Sequence, residues 1–393
     1  MENEPQNKMK IVLDILIIMA IIAIISCTTL IVKAILEKTE AGKQEDGKTL
    51  TIESVVNKVK LPDDVTITLS VIGDIMCHNS QYIDAYENGI YDFNYVFDDI
   101  RDILESADYT VGNLETTFAG SARGYSSYPQ FNTPESLALA IKDAGIDLVC
   151  TANNHSLDTG YAGIEGTIDE LDKAGVLHTG TYKSQEAQDT TTIVEIKGLK
   201  VAFLSFTYGT NGIPLPSGRE YCINLIDDNF IIDRLNLAKA EKPDIICVFM
   251  HWGEEYQTTP NREQERLANL LFDNGVNIIL GSHPHVLQKM ENTEKGFVIY
   301  SLGNFVSGQV KENTRDSIIL NLTITKKGTG EVEVTQATYD PIYTYKSGAP
   351  KKQYKVLNIK KALDAYAQGN GYISASDYEL LTREYNKICS LFH

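Results

Sequence analysis

Six apolar runs of the sequence are each followed at once by polar residues that can bind a metal ion. The residues at these run ends are Asp74, Asn113 with Glu115, Asn154 with His155, His251, His283 with His285, and Asn304. Four of the seven histidines of the chain belong to this set. Ligands of α/β proteins bind at the carboxyl ends of parallel strands. We therefore expect the run ends to meet at one polar site, with His155 at its mouth and Asn304 as a turn residue.

The residue types at these positions predict a transition-metal site. His283 and His285 are two positions apart, and side chains at that spacing face the same way in an extended chain. Imidazole nitrogens combined with carboxylate and amide oxygens suit Zn, Mn or Fe better than Ca. The set able to hold one or two such divalent ions comprises Asp74, Glu115, Asn154, His251, His283 and His285. A pair of ions would clamp a phosphate and generate a hydroxide nucleophile.

Alternating strand and helix patterns must position these residues. From Val65 to Val71, apolar side chains alternate with Thr and Ser, which predicts a strand. Helical stripes follow Pro134 and Pro260, and each ends near a glycine. Such alternation predicts an α/β domain, which we place at residues 65–345. Residues 346–393 are polar with helical stretches at 358–367 and 376–391, and we expect them to form a C-terminal helical appendage.

The N-terminal region predicts the compartment. The 18 residues of Ile15–Val32 carry no charge, which is long enough to cross a bilayer. We expect a short cytoplasmic N-terminus at 1–10, a transmembrane anchor at 11–36 and an exposed linker at 37–64. Lysines flank the anchor on both sides, so their count does not fix its orientation. The lipobox-like Ile24-Ile25-Ser26-Cys27 leaves a second form open, in which a lipid on Cys27 is the anchor.

Composition excludes several other classes of protein. The chain has 393 residues, of which 43% are hydrophobic, and its net charge is −18. A nucleic-acid partner requires a basic surface for its phosphates, so no nucleic-acid binding is predicted. The six cysteines form no CxxC pair, which argues against a zinc ribbon or a disulfide scaffold.

Six short motifs occur in order along residues 66–345. They are Ile72-Gly73-Asp74-Ile75-Met76, Gly112-Asn113-Leu114-Glu115, Ala152-Asn153-Asn154-His155, His251-Trp252-Gly253-Glu254, Gly281-Ser282-His283-Pro284-His285 and Tyr300-Ser301-Leu302-Gly303-Asn304. With these motifs the chain resembles the CapA family of poly-γ-glutamate capsule biosynthesis proteins. The resemblance implies a calcineurin-like metallophosphoesterase fold, which is a four-layer α/β/β/α sandwich, preceded by one N-terminal transmembrane helix. It also implies a bacterial, single-pass cell-membrane protein whose catalytic domain is extracellular.

The resemblance also assigns roles within the site. The implied metal ligands are Asp74, Asn113, Glu115, Asn154, His251, His283 and His285. The implied cofactor is one or two divalent ions of Mn, Fe or Zn. His155 is implied to be the general acid for the leaving oxygen, with Asp158 orienting it. The chain departs from the superfamily pattern at Met76, where a histidine is usual, and at Asn113, where an aspartate is usual. These departures weaken the case for two-metal phosphatase chemistry but leave metal binding in place.

Three functions follow as hypotheses. The first is a membrane-anchored, extracytoplasmic role in poly-γ-glutamate synthesis or export, with a metal-dependent, phosphoesterase-like site and capsule polymer synthase subunits as partners. The second is an extracytoplasmic metallophosphatase that acts on a small or lipid-linked phosphoester. The third is a non-catalytic scaffold of a capsule synthase complex. The strand-end site favours the first two over the scaffold, and Met76 favours the first over the second.

Overall fold

The computed structural model of the chain describes residues 62–392. The predicted N-terminus, the anchor, the alternative lipid site at Cys27 and the linker as far as residue 61 lie outside the described residues. Within residues 62–392, none of the helices is long and apolar enough to span a bilayer.

Strands and helices alternate along the described chain. The strands are β1 (Val65–Ile75), β2 (Tyr86–Glu87), β3 (Ile90–Tyr91), β4 (Tyr109–Leu114), β5 (Leu148–Cys150), β6 (Leu177–Thr179), β7 (Thr192–Ile196), β8 (Leu199–Thr207), β9 (Ile245–His251), β10 (Ile278–Ser282), β11 (Met290–Thr293), β12 (Gly296–Ile299), β13 (Asp316–Lys326), β14 (Val332–Lys346) and β15 (Tyr354–Asn358). The helices are α1 (Asn79–Ala85), α2 (Arg101–Leu104), α3 (Ser136–Asp143), α4 (Gly160–Ala174), α5 (Gln185–Asp189), α6 (Asp228–Ala240), α7 (Arg262–Asp273), α8 (Ile359–Ala367) and α9 (Ala375–Leu391).

Two mixed sheets form the centre of the fold. The first has seven strands in the order β15-β14-β13-β1-β4-β5-β6, and the second has six in the order β11-β12-β10-β9-β8-β7. Strands β1, β4, β5 and β6 are parallel in the first sheet. Strands β8, β9, β10 and β12 are parallel in the second. The carboxyl ends of the parallel strands in each sheet therefore share one edge, as the sequence analysis expected.

The two sheets pack face to face through alternate residues of their strands. Ile67, Leu69 and Val71 of β1 share one buried core with Phe203 of β8 and Phe249 of β9. Helix α3 covers the outer face of the seven-stranded sheet, while α6 and α7 cover that of the six-stranded sheet. The predicted α/β class is confirmed, and the helix–sheet–sheet–helix order matches the predicted layers. Each fully buried aliphatic side chain contributes about 1.5–3 kcal/mol, so this core fixes the strand ends that carry the site.

The C-terminal segment contributes a strand as well as two helices. Strand β15 pairs antiparallel with β14 from Ile342 to Lys346, a pairing that the sequence analysis did not predict. The helical stretches predicted at 358–367 and 376–391 correspond to α8 and α9. Leu381 and Ile388 of α9 are buried in the core between the sheets. Residues 346–392 therefore extend and cover the seven-stranded sheet, which is more than the helical appendage that was expected.

A close backbone approach shapes the end of β1. A Cβ atom on Gly73 would lie 1.9 Å from the carbonyl oxygen of Gly303, so no larger residue fits there. The backbone N–H of Asp74 donates to the same oxygen at 2.9 Å. Asn304, which follows Gly303, is thereby held beside Asp74, and both side chains are buried.

Candidate metal centre

Two buried carboxylates form the floor of the site. Asp74 lies near the end of β1 and Glu115 directly follows β4, and neither is exposed. The Nδ2 atom of Asn113 donates to Asp74 Oδ1 at 2.8 Å and to Glu115 Oε2 at 3.3 Å. Its Oδ1 atom accepts from Asn153 Nδ2 at 3.3 Å. Asn113 therefore orients both carboxylates, and its direct binding to a metal ion stays a prediction.

His251 joins this floor from the other sheet. It ends β9, and its Nε2 atom lies 3.7 Å from Glu115 Oε1. The same Nε2 atom is 2.9 Å from Asn154 Oδ1, while Nδ1 is 2.9 Å from Ser282 Oγ. Asp74, Glu115 and His251 offer ligand atoms that all lie within 4.8 Å of one another. Three predicted ligands from three strands thus meet at one point between the sheets.

The two histidines after β10 take different positions. His285 Nδ1 is 3.2 Å from Asp74 Oδ2, and its Nε2 is 3.7 Å from Glu115 Oε1. His283 instead lies beside His251, with 4.9 Å between the ring centroids. The φ angles of His283 and His285 are 95° and 59°, so the extended conformation assumed from their spacing is wrong. A turn with strained backbone carries both residues, and such strain is concentrated at functional sites.

One carboxylate oxygen in the floor has no hydrogen-bond partner. Glu115 Oε1 is buried and unpaired, although the Nε2 atoms of His251 and His285 are each 3.7 Å away. An unpaired buried acceptor costs about 1–3 kcal/mol. A cation placed among Asp74, Glu115 and the two histidines would contact this oxygen. The residues present therefore fit the divalent ion that the sequence predicted.

Burial also sets the protonation of the site. It raises the pKa of Glu115 well above its ordinary value, and the charge of Asp74 raises it further. It lowers the pKa of His251 well below its ordinary value, and the neighbouring His283 and His285 lower it further. The pKa of His283 falls to about 3, again mainly because of burial. His251 and His283 are therefore neutral at pH 7, which is the form in which imidazole binds a metal ion.

The predicted general acid and its orienting residue form a hydrogen-bonded pair next to the floor. His155 Nδ1 lies 2.7 Å from Asp158 Oδ2, which also accepts from the backbone N–H of Phe131 at 2.7 Å. The Phe131 ring packs edge-on against the imidazole, with 4.8 Å between centroids. His155 is only 3% exposed, so the expected position at an open mouth is wrong, because Phe131 covers it. The contact at Nδ1 leaves Nε2 as the atom available to a substrate.

Comparison with known proteins shows the family. Residues 68–309 match the family model described as bacterial capsule synthesis protein PGA_cap. The chain belongs to the PGA_cap family. PGA biosynthesis protein CapA of Bacillus subtilis (strain 168) is 31% identical over 293 residues, which cover 71% of this chain and 73% of that protein. Capsule biosynthesis protein CapA of Bacillus anthracis is 29% identical over 288 residues, which cover 71% and 69%. The resemblance predicted from the six motifs is confirmed.

Solved structures similar to this PGA_cap chain are more distant in sequence. A 5′-nucleotidase precursor from Thermus thermophilus aligns with a TM-score of 0.42 at 16% identity, covering 78% of this chain and 59% of that one. NAD nucleotidase from Haemophilus influenzae aligns with a TM-score of 0.43 at 11% identity, covering 83% and 60%.

One segment of this PGA_cap chain that the sequence analysis did not single out also closes the site. Asn211 Oδ1 accepts from Asn154 Nδ2 at 3.1 Å, and Asn211 Nδ2 lies 3.5 Å from His155 Nδ1. The ring of Tyr208 lies over His283, with 4.5 Å between centroids, and is 48% exposed. Tyr208 and Asn211 follow β8, whose carboxyl end shares the edge with the other parallel strands. The apolar run of β8 could have indicated another strand end at the site. It was not singled out because no histidine or carboxylate directly follows the run.

Asn304 has a larger role than the predicted turn residue. Its Oδ1 atom lies 2.9 Å from His285 Nδ1. Its Nδ2 atom donates to the backbone carbonyl of Thr314 at 2.9 Å and to Gln309 Oε1 at 3.0 Å. With its amide nitrogen so occupied, Asn304 presents its oxygen to Nδ1 of the imidazole. His285 Nε2 is thereby turned towards Glu115, in the orientation that a ligand of the proposed centre needs.

Proposed function

We propose that the chain is a membrane-anchored, extracytoplasmic protein of poly-γ-glutamate capsule synthesis or export that works through a metal-dependent, phosphoesterase-like site. Membership of the PGA_cap family supports the capsule role, since both Bacillus relatives are named for capsule or PGA biosynthesis. The uncharged segment Ile15–Val32, outside the described residues, supports the anchor. Capsule polymer synthase subunits in the same membrane would be its partners.

The observation that carries the metal-dependent site is the buried, unpaired Oε1 atom of Glu115 between two imidazole nitrogens. A purely structural carboxyl group would be hydrogen-bonded, because burial of an unpaired polar oxygen is costly. Asn113 supports the other carboxylate oxygens but does not reach this one. A bound cation is the partner that this geometry lacks.

The roles of the surrounding side chains follow from their contacts. The proposed ligands are Asp74, Glu115, His251 and His285, with Asn154 and His283 available to a second ion. Bound there, a divalent ion would supply a Lewis acid for a phosphoryl or carbonyl oxygen of the substrate. Asn304 and Ser282 orient the two imidazoles. His155 would donate a proton from Nε2 to the leaving oxygen, while Asp158 holds the ring at Nδ1.

A metallophosphatase that acts on a small or lipid-linked phosphoester is the second candidate. The observation in its favour is the His155–Asp158 pair, since a general acid next to a cation is what departure of an alkoxide requires. Met76, buried at the position where the superfamily has a histidine, leaves fewer ligands for a second ion. The first proposal needs only one ion, so we place it ahead. The third hypothesis, a non-catalytic scaffold, requires no bound cation and therefore leaves Glu115 Oε1 without a partner.

The test is complementation in a poly-γ-glutamate-producing bacterium that lacks its own CapA-type protein. The full chain should restore polymer, and a Glu115→Gln, His251→Ala variant at equal protein level should not. His178→Gln is the matched control, because His178 lies outside the site and contacts Asp172. Polymer yield and membrane-bound protein are measured together.

The possible results separate the candidates. Restoration of polymer by the double variant would reject the metal-dependent site and support the scaffold. Failure of the parent chain to restore polymer, combined with hydrolysis of a phosphoester by the purified protein, would support the phosphatase instead. If the double variant is lost from the membrane, the same test is made with single substitutions that disturb folding less, beginning with Asp74→Asn.

A further inference from the structure

A groove of about 550 Å³ lies next to the proposed metal centre, between the 310–316 loop and helix α9. Its lining includes four cationic side chains, which are Lys311, Arg315, Arg383 and Lys387, and three carboxylates, which are Glu312, Asp316 and Glu384. The cations thus exceed the acids by one in this groove, whereas the chain as a whole carries a net charge of −18.

Two of the four cations are neutralised by carboxylates of the same groove. Lys387 pairs with Asp316 at 3.0 Å, and Arg383 pairs with Glu384 at 2.8 Å. Lys387 Nζ also donates to Asn313 Oδ1 at 2.9 Å. The contacts of Lys387 connect α9 to Asn313 and Asp316 and form one wall of the groove.

The other two cations form no ion pair with a carboxylate within the part of the chain that the structure describes. Lys311 Nζ lies 3.5 Å above the centre of the Tyr256 ring. Arg315 Nε donates to the backbone carbonyl of Gln309 at 3.3 Å, and its guanidinium also contacts the hydroxyl of Tyr343. These partners are uncharged, so neither cation is neutralised. Apart from the two paired cations, the groove therefore offers two positive charges to an anionic ligand, against the one remaining carboxylate of the lining, Glu312.

Side-chain contacts connect the groove to the metal centre. The Tyr256 ring that supports Lys311 lies 6.2 Å from the His285 ring, centroid to centroid. Asn304, which contacts His285, is hydrogen-bonded to Gln309 in the loop that leads to Lys311. An extended ligand in the groove would therefore reach the centre past Tyr256.

We propose that this groove binds a chain of γ-linked glutamyl units, with its carboxylates on Lys311 and Arg315, and directs it to the metal centre. This proposal rests on the proposed capsule function. Beside its polar residues the lining includes Leu380, Tyr343 and Val310, which is 78% exposed. Methylene groups of glutamyl units would pack on these side chains, whereas a polyphosphate has no apolar part to place there. The planar guanidinium of Arg315 can also donate two parallel hydrogen bonds to a carboxylate.

The experiment measures binding of a fluorescent γ-linked glutamate oligomer to the full chain in detergent. Lys311→Gln combined with Arg315→Gln should weaken binding about tenfold or more, because the variant loses two charge-assisted contacts to the carboxylates. The affinity of the parent should fall as ionic strength rises, and that of the variant should fall less. The matched control is Lys239→Gln with Lys242→Gln, two exposed cations at the end of α6 that remove the same charge far from the groove.

Bound metal is measured in every sample, so that failures of the two proposals can be told apart. Weaker oligomer binding with unchanged metal content and an unaffected control supports the groove. Equal losses in variant and control, no binding by the parent, or tighter binding of a polyphosphate of equal length would overturn it. Oligomer binding by a parent that holds no metal would contradict the proposed metal site and leave the groove in place.

Discussion

His251 and Asn154 lie 2.9 Å apart, Nε2 to Oδ1, although 97 positions separate them in the sequence and they follow strands of different sheets. Asn154 follows β5 of the seven-stranded sheet, and His251 ends β9 of the six-stranded sheet. The proposed metal centre is therefore built across the seam between the two sheets. An ion bound there would link both sheets, so its effect should be visible in stability as well as in activity.

Removal of the metal should lower the melting temperature of the purified chain. A ligand present at 100 times its Kd stabilises the folded state by about 2.7 kcal/mol. Glu115→Gln should lower bound Mn, Fe or Zn about tenfold and abolish the effect of a chelator on melting, and His178→Gln should do neither. Elemental analysis and thermal melting with and without chelator provide the test. Equal metal content in the Glu115 variant and the parent would contradict the proposed ligand set.

Asp158→Asn should reduce activity while metal content stays unchanged. The substitution keeps the size of the side chain but weakens its hold on His155 Nδ1, and general acid catalysis typically contributes about 10²–10⁴-fold. His155→Gln should lose as much activity. Because His155 is 3% exposed and hydrogen-bonded, His155→Ala should also cost about 1–3 kcal/mol of stability. Polymer production and melting are measured in parallel. Full activity in both variants would make the pair structural.

Asn211 should act as a positioning residue for Asn154. Asn211→Ala removes the oxygen that accepts from Asn154 Nδ2, and Asn154 in turn contacts the proposed ligand His251. Loss of such an orienting contact typically lowers metal affinity about 10–100-fold. Asn211→Asp keeps the accepting oxygen and should retain the affinity of the parent. Asn211 has φ of 52°, a conformation that Asp adopts more readily than Ala, so melting of both variants is recorded. Similar affinity losses in the Asp and Ala variants would rule the role out.

Stability of the metal-free chain should fall as the pH drops from about 6.5 towards 4. Burial lowers the pKa of His78 from its ordinary value to about 4, whereas an unfolded chain titrates near about 6.5. Between these values the unfolded state binds more protons, so acid favours unfolding. His78 Nδ1 accepts from the backbone N–H of Gly308 at 3.1 Å, and the amide oxygen in His78→Asn can replace that contact. Urea unfolding at several pH values should give a flatter profile for the variant; parallel profiles would contradict the prediction.

The full chain should stay in the membrane fraction with its N-terminus intact. Ile15–Val32 is uncharged and long enough to cross a bilayer. Intact-mass analysis of the membrane-extracted protein distinguishes the two anchors. A mature chain that begins at a lipid-modified Cys27 would establish the lipoprotein form, and recovery in the soluble fraction would exclude both.

The positions of the strand-end residues could be predicted because each follows a strand that is recognisable in the local sequence. Such a strand is either a run in which apolar and polar residues alternate or a short continuous apolar run. Asp74, Glu115 and His251 were found in this way, and their convergence followed from the shared edge of parallel strands. The backbone of His283 and His285 could not be read from spacing, since their positive φ angles depend on the turn that packs against Tyr208 and Asp74.

Contacts formed by distant segments were beyond the reach of the sequence alone. Asn211 was missed because an asparagine in a loop usually indicates a turn, and only the packing of the six-stranded sheet against the seven-stranded sheet brings it to His155. Strand β15 was missed because it is only five residues long and pairs only with the far end of β14. The groove depends on α9 reaching the 310–316 loop through Lys387, a contact between segments about 70 residues apart that no local periodicity indicates.

Strand β1 has one more consequence, for the direction from which the site is approached. Val65 pairs with Lys326 at one end of the strand, and Asp74 stands nine residues further on, about 30 Å away at about 3.3 Å per residue. The described domain therefore begins at the end of the strand opposite to the site. Leu391 of α9, by contrast, lines a cavity together with Asn313 of the groove loop. A fusion partner attached after α9 would therefore lie beside the groove and the path of an incoming polymer.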